Sequence, residues 1–344
     1  MALTFTLVST VYNEAARLNQ TIEELKKQTV QPSEIIITDA GSIDGTYEIL
    51  LAWQKESEIP IKILQKNKCN VAEGRNMAIR AALYPLIAST DFGCRFHPQW
   101  LESIISPFAD PAVKAVAGAF TVKDEDIESL PAKAAYLLFN GYKDDIQEEW
   151  FTPTSRSVAY YKEVFDHVGG YCEWLTLAAD DTIFGRLVKK AGFKFFPVEK
   201  PFVFWGRHKT ATGYNKEAFR YGLGDGESGI NIRSTLGKCV DLTLRFSFVL
   251  GFILISFFVL SNHLSVYFFL FLIPFVVGFR PYVYHIKNWL RIKTSKYNSI
   301  VLLYSFYLLE STRYNYLKGY YKGYFKSPSF RKNAALELKK RLVE

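Results

Sequence analysis

Short polar clusters in this chain combine residue types that do chemistry: Tyr12-Asn13-Glu14, the run Asp39 to Thr46, Gly74-Arg75-Asn76, Asp91-Phe92-Gly93 and the pair Asp180-Asp181. Carboxylates hold divalent cations, accept hydrogen bonds from ligand N–H groups, or take a proton from an attacking hydroxyl. A lone arginine neutralises phosphate, or simply closes a surface ion pair. Asp and Asn are also ordinary turn residues, and anions suit the first turn of a helix, so turn-forming and capping are the plain alternatives. Which reading holds depends on whether the chain brings these residues to one place.

The elements between the clusters predict that it does. Residues 5–11 read as a buried strand ended by Tyr12-Asn13-Glu14, and residues 16–28 carry helical periodicity in Leu18, Ile22 and Leu25. Strands follow at 34–38, 61–64 and 86–90, and helices at 47–55 and 72–82, with Ser42 or Asp44 able to cap the second helix. Strand–helix units in succession with short connections require right-handed crossovers and a largely parallel sheet. Ligands of such sheets bind outside the carboxyl ends of the strands, where Asn13, Glu14, Asp39 and Asp91 fall. Further strands are predicted at 114–120 and 157–160, and a helix at 180–190 closed by Gly192.

The chain has 344 residues, 49% of them hydrophobic and 16% aromatic, which excludes a disordered protein. The apolar residues are not evenly spread. Leu244 to Leu260 and Leu264 to Phe279 are almost uninterrupted, each near the short limit of about 17 residues for crossing a hydrocarbon core. Arg245 stands at the start of the first, and Arg280, Lys287, Arg291, Lys293 and Lys296 follow the second, which predicts a transmembrane hairpin with both ends cytoplasmic; a buried soluble hairpin is the alternative. The formal charge of +8 is concentrated after residue 280, where Tyr314, Tyr316, Tyr320, Tyr321 and Tyr324 alternate with Arg and Lys. That composition suits membrane lipid at the bilayer interface. It also suits single-stranded nucleic acid, but adjacency to the hairpin decides for lipid and no nucleic acid is expected. The start lacks a signal-peptide pattern, so the N-terminal domain is expected on the cytoplasmic side of a multi-pass cell-membrane protein. Cys69, Cys94, Cys172 and Cys239 form no metal or disulfide pattern and read as free thiols. The expected division is 1–235 for the α/β domain, 236–282 for the hairpin and 283–344 for a basic aromatic interfacial tail.

A sugar-diphosphate nucleotide asks a protein for an edge contact to its base, neutralisation of two phosphates and stabilisation of the leaving group. Asp39 suits the base, Glu14 with Thr10 and Val11 the base and ribose, Arg75 a phosphate, and Asp91 a cation bridging the diphosphate. Together the clusters resemble the family 2 glycosyltransferases of GT-A fold over residues 4–235. The resemblance implies a Rossmann-like, mostly parallel sheet and inverting transfer in which the second residue of an acidic pair is the general base. Asp181 matches that base, and Asp180 stands where a Glu is more usual. Family members carry a D-x-D metal motif; Asp91-Phe92-Gly93 retains only its first carboxylate. His208 stands where some relatives add a ligand, so the implied cofactor is Mg²⁺ or Mn²⁺ on Asp91 and His208. The Q-x-x-R-W motif of processive synthases is missing, which favours single-sugar transfer. The run Phe219 to Gly226 resembles a mobile segment whose glycines permit closure. The partners implied are a nucleotide-sugar donor and a lipid-linked acceptor, either polyprenyl phosphate or a lipid-linked glycan. A polysaccharide or glycolipid acceptor, and a non-catalytic scaffold of degenerate GT-A fold, are the alternatives. A nucleotidyltransferase would need a basic, glycine-rich loop after the first strand, and Val11 to Glu14 is not one.

Overall fold

A computed structural model describes residues 3–142, 146, 151–260, 279, 282–292, 296–326 and 328–343, with the side chains of 247–260, 328, 342 and 343 outside the description. The strands are β1 (Phe5–Val11), β2 (Glu34–Asp39), β3 (Ile61–Gln65), β4 (Leu86–Asp91), β5 (Cys94–Phe96), β6 (Ala115–Thr121), β7 (Val158–Tyr161) and β8 (Phe195–Trp205). Helices that bear on function are α1 (Ala15–Lys26), α2 (Thr46–Glu56), α3 (Val71–Arg80), α4 (Trp100–Ile105), α5 (Leu130–Leu138), α6 (Lys162–His167), α7 (Asp180–Lys190), α8 (Ala211–Ser228), α9 (Ile232–Leu260), α10 (282–292), α11 (Ser299–Tyr324) and α12 (Pro328–Val343). They form two compact units: Met1–Asp126, Tyr142–Arg207 and Lys326–Glu344 in the first, Ile127–Gly141 and His208–Phe325 in the second.

The first unit holds the sheet, in the order β3-β2-β1-β4-β7-β6-β8-β5. β1, β2 and β4 are buried along nearly their whole length, as parallel strands covered on both faces must be. Phe5, Leu7, Ile35 and Ile37 pack with Leu18 and Ile22 of α1, Leu50 and Trp53 of α2, and Trp100 of α4. The opposite face takes α3, and Gly74 makes the approach possible: a Cβ there would stand 2.6 Å from Thr10 Cγ2. The Thr38 hydroxyl donates to the Gly74 carbonyl at 2.9 Å and fixes the helix on the strand.

The α/β expectation holds, and the parallel part of it holds for β3-β2-β1-β4. Beyond β4 the sheet is mixed, since β7 runs antiparallel to β4 and β6, β6 parallel to β8, and β5 antiparallel to β8. No helix crosses over between β4 and β5; the chain turns at Phe92-Gly93, and β5 pairs with the last strand instead.

In the second unit Ala134, Ala135 and Leu137 of α5 pack with Tyr214 of α8 and with Val301 and Leu308 of α11. Gly222 and Gly226 of α8 face Gly319 and Gly323 of α11 so closely that a Cβ at any of the four would lie 2.0 to 2.3 Å from a carbonyl oxygen of the other helix. The run 219–226 is therefore helix, and its glycines serve backbone contact rather than the mobility expected of them. The first apolar run forms the end of α9. Almost all of the second, Leu264 to Phe279, lies outside the described residues. Among the described residues no helix is long and apolar enough to cross a membrane.

Candidate active site

Register places β1 between two aspartates: Thr10 is paired with Asp91 on β4, and Val11 with Asp39 on β2. Two strand spacings put those aspartates about 10 Å apart along the carboxyl edge. The Asp39 carboxylate is fully buried and accepts from the Gly41 and Ser42 N–H groups at 3.1 Å and from the Gln65 side chain at 3.3 Å. It thereby shapes the loop that follows, and that loop holds the neighbouring cluster. Ser42 Oγ accepts from the Asn13 N–H at 2.9 Å, and Asn13 Oδ1 accepts from the Ile43 N–H at 3.0 Å. Thr46 Oγ1 accepts from the Glu14 N–H at 2.8 Å, and Asp44 accepts from the Ala15 N–H at 3.1 Å. α1 has no side-chain cap at its own N-cap, Glu14, so Asp44 supplies an acceptor from outside. Asp44 also accepts from the Thr46 N–H in the first turn of α2, the capping expected of it; Ser42 is occupied with Asn13.

The Glu14 carboxylate stays uncommitted by these bonds, and its Oε1 lies 3.6 Å from where a Cβ of Gly93 would stand. Burial pushes its carboxyl up, Asp44 and Asp91 add to the rise, and Arg17 opposes it. A second carboxylate thus reaches the place where Asp91-Phe92-Gly93 lacks one.

Arg75 is the hub. Its side chain is only 4% exposed, and its two terminal nitrogens donate to Asp91 Oδ1, at 2.6 Å, and to Asp180 Oδ2. The phosphate contact expected of Arg75 meets a guanidinium engaged by two carboxylates, and the surface ion pair weighed against it is a buried one. The motif around it explains the position. Gly74 brings α3 onto Thr10; Asn76 pins Tyr171, donating to its carbonyl at 2.9 Å and accepting from its N–H at 3.0 Å; and the Tyr171 ring lies 5.4 Å from the Arg75 guanidinium. Tyr171 in turn stacks on Phe184 of α7, with ring centroids 4.3 Å apart.

Asp180 and Asp181 enter from the start of α7, behind Ala179, which holds a left-handed φ of +73°. For alanine that conformation costs on the order of 1 kcal/mol or more, offset here by packing that fixes where the acidic pair points. Burial pushes the Asp180 carboxyl up to about 6; Arg75 opposes the rise, and Asp181 and Asp91 add to it. Burial also raises Asp91, but Arg75 and then Arg156 outweigh it and hold that carboxyl below the usual range. Asp181 is half-buried and accepts from the Thr182 N–H at 2.7 Å, a bond that leaves its other oxygen for an acceptor.

Residues that the motifs do not reveal complete the first unit's polar edge. Arg156 and Arg207 lie against the Trp205 ring at 3.8 and 3.7 Å, and Arg207 also donates to the Tyr142 hydroxyl at 2.9 Å. No short motif announces Arg156, which follows an irregular segment. His208 belongs to the second unit, exposed, with its ring edge-on to Tyr214 at 5.3 Å and its Nε2 3.9 Å from Glu217.

Residues 6–169 match the family described as Glycosyl transferase family 2. That match falls mostly in the first unit and covers just under half of the chain. Validoxylamine A glucosyltransferase of Streptomyces hygroscopicus subsp. jinggangensis is 32% identical over 115 residues, 33% of this chain and 27% of that protein. The O-antigen chain rhamnosyltransferase WbaN of Salmonella anatum is 29% identical over 201 residues, 55% of this chain and 62% of that protein. This chain therefore spans less than two thirds of either relative. Among solved structures, a mannosyltransferase of Pyrobaculum calidifontis in complex with GDP-Man and Mn²⁺ aligns at 15% identity and a TM-score of 0.49, over 98% of this chain and 86% of that one. The family 2 match ends before Asp180 and Asp181, so the acidic pair rests on geometry, not on that match.

The sequence resemblance implies a divalent cation. Mg²⁺ keeps several waters and takes one or two protein carboxylates beside substrate phosphates. Asp91, ionised and 34% exposed with one oxygen outside the Arg75 bond, and Glu14 near it fit that modest demand. Among the described residues no group of three or more His, Cys, Asp or Glu is arranged to hold an ion by itself.

Proposed function

We propose that this chain transfers a single sugar, with inversion, from a nucleotide-sugar donor to a lipid-linked acceptor at a membrane surface. The observation that carries the transfer reading is the Arg75 hub. It joins Asp91, at the strand edge where a donor diphosphate would lie, to Asp180 of the acidic pair. In this reading the nucleoside rests along Thr10, Val11 and Glu14 on the loop that Asp39 organises. Asp91 and Glu14 would hold Mg²⁺ or Mn²⁺ with the diphosphate, and the cation would stabilise the departing charge. His208 is proposed as a further ligand, and Asp181 takes the acceptor proton.

Exposed apolar residues support the membrane part. Ile232, Leu236 and Val240 recur every fourth residue along α9, and Ile300, Leu303, Tyr307, Tyr314 and Tyr321 at three-, four- or seven-residue steps along α11, all more than 40% exposed. Each set forms one stripe, continuous on α9 with the apolar run that begins at Leu244. Both ends of the hairpin are proposed to be cytoplasmic, with the catalytic unit on that side. Carbonate extraction of membranes should leave the protein in the pellet, and its release into the supernatant would exclude the hairpin.

The transfer reading is tested by incubating purified protein with a panel of UDP-, GDP- and dTDP-sugars, with and without Mn²⁺, and measuring nucleotide release. One donor should turn over. Asp39→Ala should weaken nucleotide binding even without metal, because the loop collapses, whereas Asp91→Ala should remove mainly the metal-dependent part. Binding without turnover of any donor would favour the non-catalytic scaffold.

A further inference from the structure

A cavity of about 440 Å³ opens in the first unit between α3, the loop after Tyr171 and α12. That is within the range of about 300 to 1,000 Å³ usual for small-molecule sites. Its charges cancel in pairs: Arg80 lies 3.2 Å from Glu173, and Arg341 lies 2.6 Å from Glu337. A phosphate or a metal ion would have to break one of these pairs. A neutral ligand rich in hydroxyl groups would not, because hydroxyls both donate to the open carboxylate oxygens and accept from the guanidinium edges. Trp174 supplies the remaining element. Its indole N–H is buried without a hydrogen-bond partner, and its ring meets Phe330 of α12 edge-on at 6.0 Å. An aromatic face beside paired carboxylates and guanidiniums suits the apolar C–H face and the polar rim of a pyranose ring.

The cavity also adjoins the catalytic cluster. Tyr171 and Asn76 line it, and the same Tyr171 ring packs against Arg75. The loop that bears Glu173 and Trp174 is tied to the start of α3, where Asn70 donates to the Glu173 carbonyl at 2.7 Å and the Leu175 carbonyl at 3.0 Å. From that loop the chain runs directly to Asp180 and Asp181.

We infer that this cavity binds a neutral sugar ring of the acceptor glycan, with Trp174 as its stacking surface and Arg80, Glu173, Glu337 and Arg341 as its polar rim. The inference rests on the transferase reading for the word acceptor, but binding itself is measured without turnover. Saturation-transfer NMR on the full-length protein uses the methyl glycosides of glucose, galactose, mannose and rhamnose, with glucose 1-phosphate as the charged comparison. At least one methyl glycoside should receive saturation, and Trp174→Ala should weaken its affinity about five- to tenfold. Arg80→Ala, on a side chain 59% exposed, should weaken it too and serves if Trp174→Ala does not fold. No signal from any methyl glycoside, a signal that survives both substitutions, or a signal from glucose 1-phosphate alone would overturn the inference. Nucleotide affinity measured on the same samples reports the donor site, so a failure of the donor reading shows itself separately.

Discussion

Arg75→Gln is expected to lower stability by about 3 to 5 kcal/mol at neutral pH, the usual result of removing one partner from a buried ionic cluster. The guanidinium lies within hydrogen-bond reach of both Asp91 and Asp180, and the loss leaves two carboxylates facing each other with Asp181 nearby. The defect should depend on pH, and its sign follows from the carboxyls. Asp180 is already pushed up to about 6, by burial first, so the folded state binds its proton more tightly than the unfolded chain does. Stability from this group is highest below the unfolded carboxyl pKa, falls as pH rises through 6, and is flat above. Without Arg75 the opposing charge is gone, the folded pKa climbs further and the falling window lengthens. Asp91 changes in the same sense, because Arg75 is the larger of the two charges holding it low, and the stability it contributes above its unfolded pKa shrinks. The deficit relative to the parent should therefore be larger at about pH 8 than at about pH 5 in urea titrations. Adding Asp180→Asn to Arg75→Gln should recover part of it by removing one of the uncompensated charges. A deficit that is equal at both pH values would mean that Arg75 acts through packing, with its ring contact to Tyr171 the first place to look.

Much of this geometry is legible in the sequence, and the reason is local. β1 to β4 and the helices between them follow one another with short connections, so periodicity and handedness alone place Asp39 and Asp91 at one edge. The acidic pair is legible as the start of a helix, but its distance from Asp91 is not, since Asp180 and Arg75 are joined through a contact 105 residues apart in the chain. The role of Arg75 was hidden for the same reason: phosphate ligand and surface ion pair are the readings available before its partners are known. β8 escapes because Pro197, Glu199, Lys200 and Pro201 interrupt its apolar pattern, and β5 because it is three residues long. Gly222 and Gly226 read as hinges for want of the partner helix. Only the facing Gly319 and Gly323 reveal them as contact points.

Asp181→Asn is expected to leave folding and nucleotide binding intact while lowering transfer by about 10² to 10⁴ in rate, the range for loss of a positioned general base. Asp181 sits in the first turn of α7 beside Asp180, and only Asp180 is taken by Arg75. The division is physical: the guanidinium fixes the first carboxylate as structure and leaves the second half-exposed beside the edge that Asp91 defines. Asparagine keeps the oxygen that accepts from the Thr182 N–H and loses only the charge and the basicity. A role confined to the helix end would cost little, because exchanging Asp for Asn in a first turn removes a dipole interaction of about 0.3 to 1 kcal/mol. Transfer, donor affinity and melting temperature measured on one preparation separate the two. Near-normal turnover would remove Asp181 from catalysis; binding kept with turnover down by two decades or more would support it. The size of the loss also reads the acceptor. A sugar hydroxyl must give up its proton as its oxygen attacks, whereas a lipid phosphate is already ionised near neutral pH and scarcely needs a base. A loss near the upper end of that range points to a hydroxyl on a lipid-linked glycan, and a loss of less than about tenfold, with donor hydrolysis unchanged, points to a phosphate acceptor.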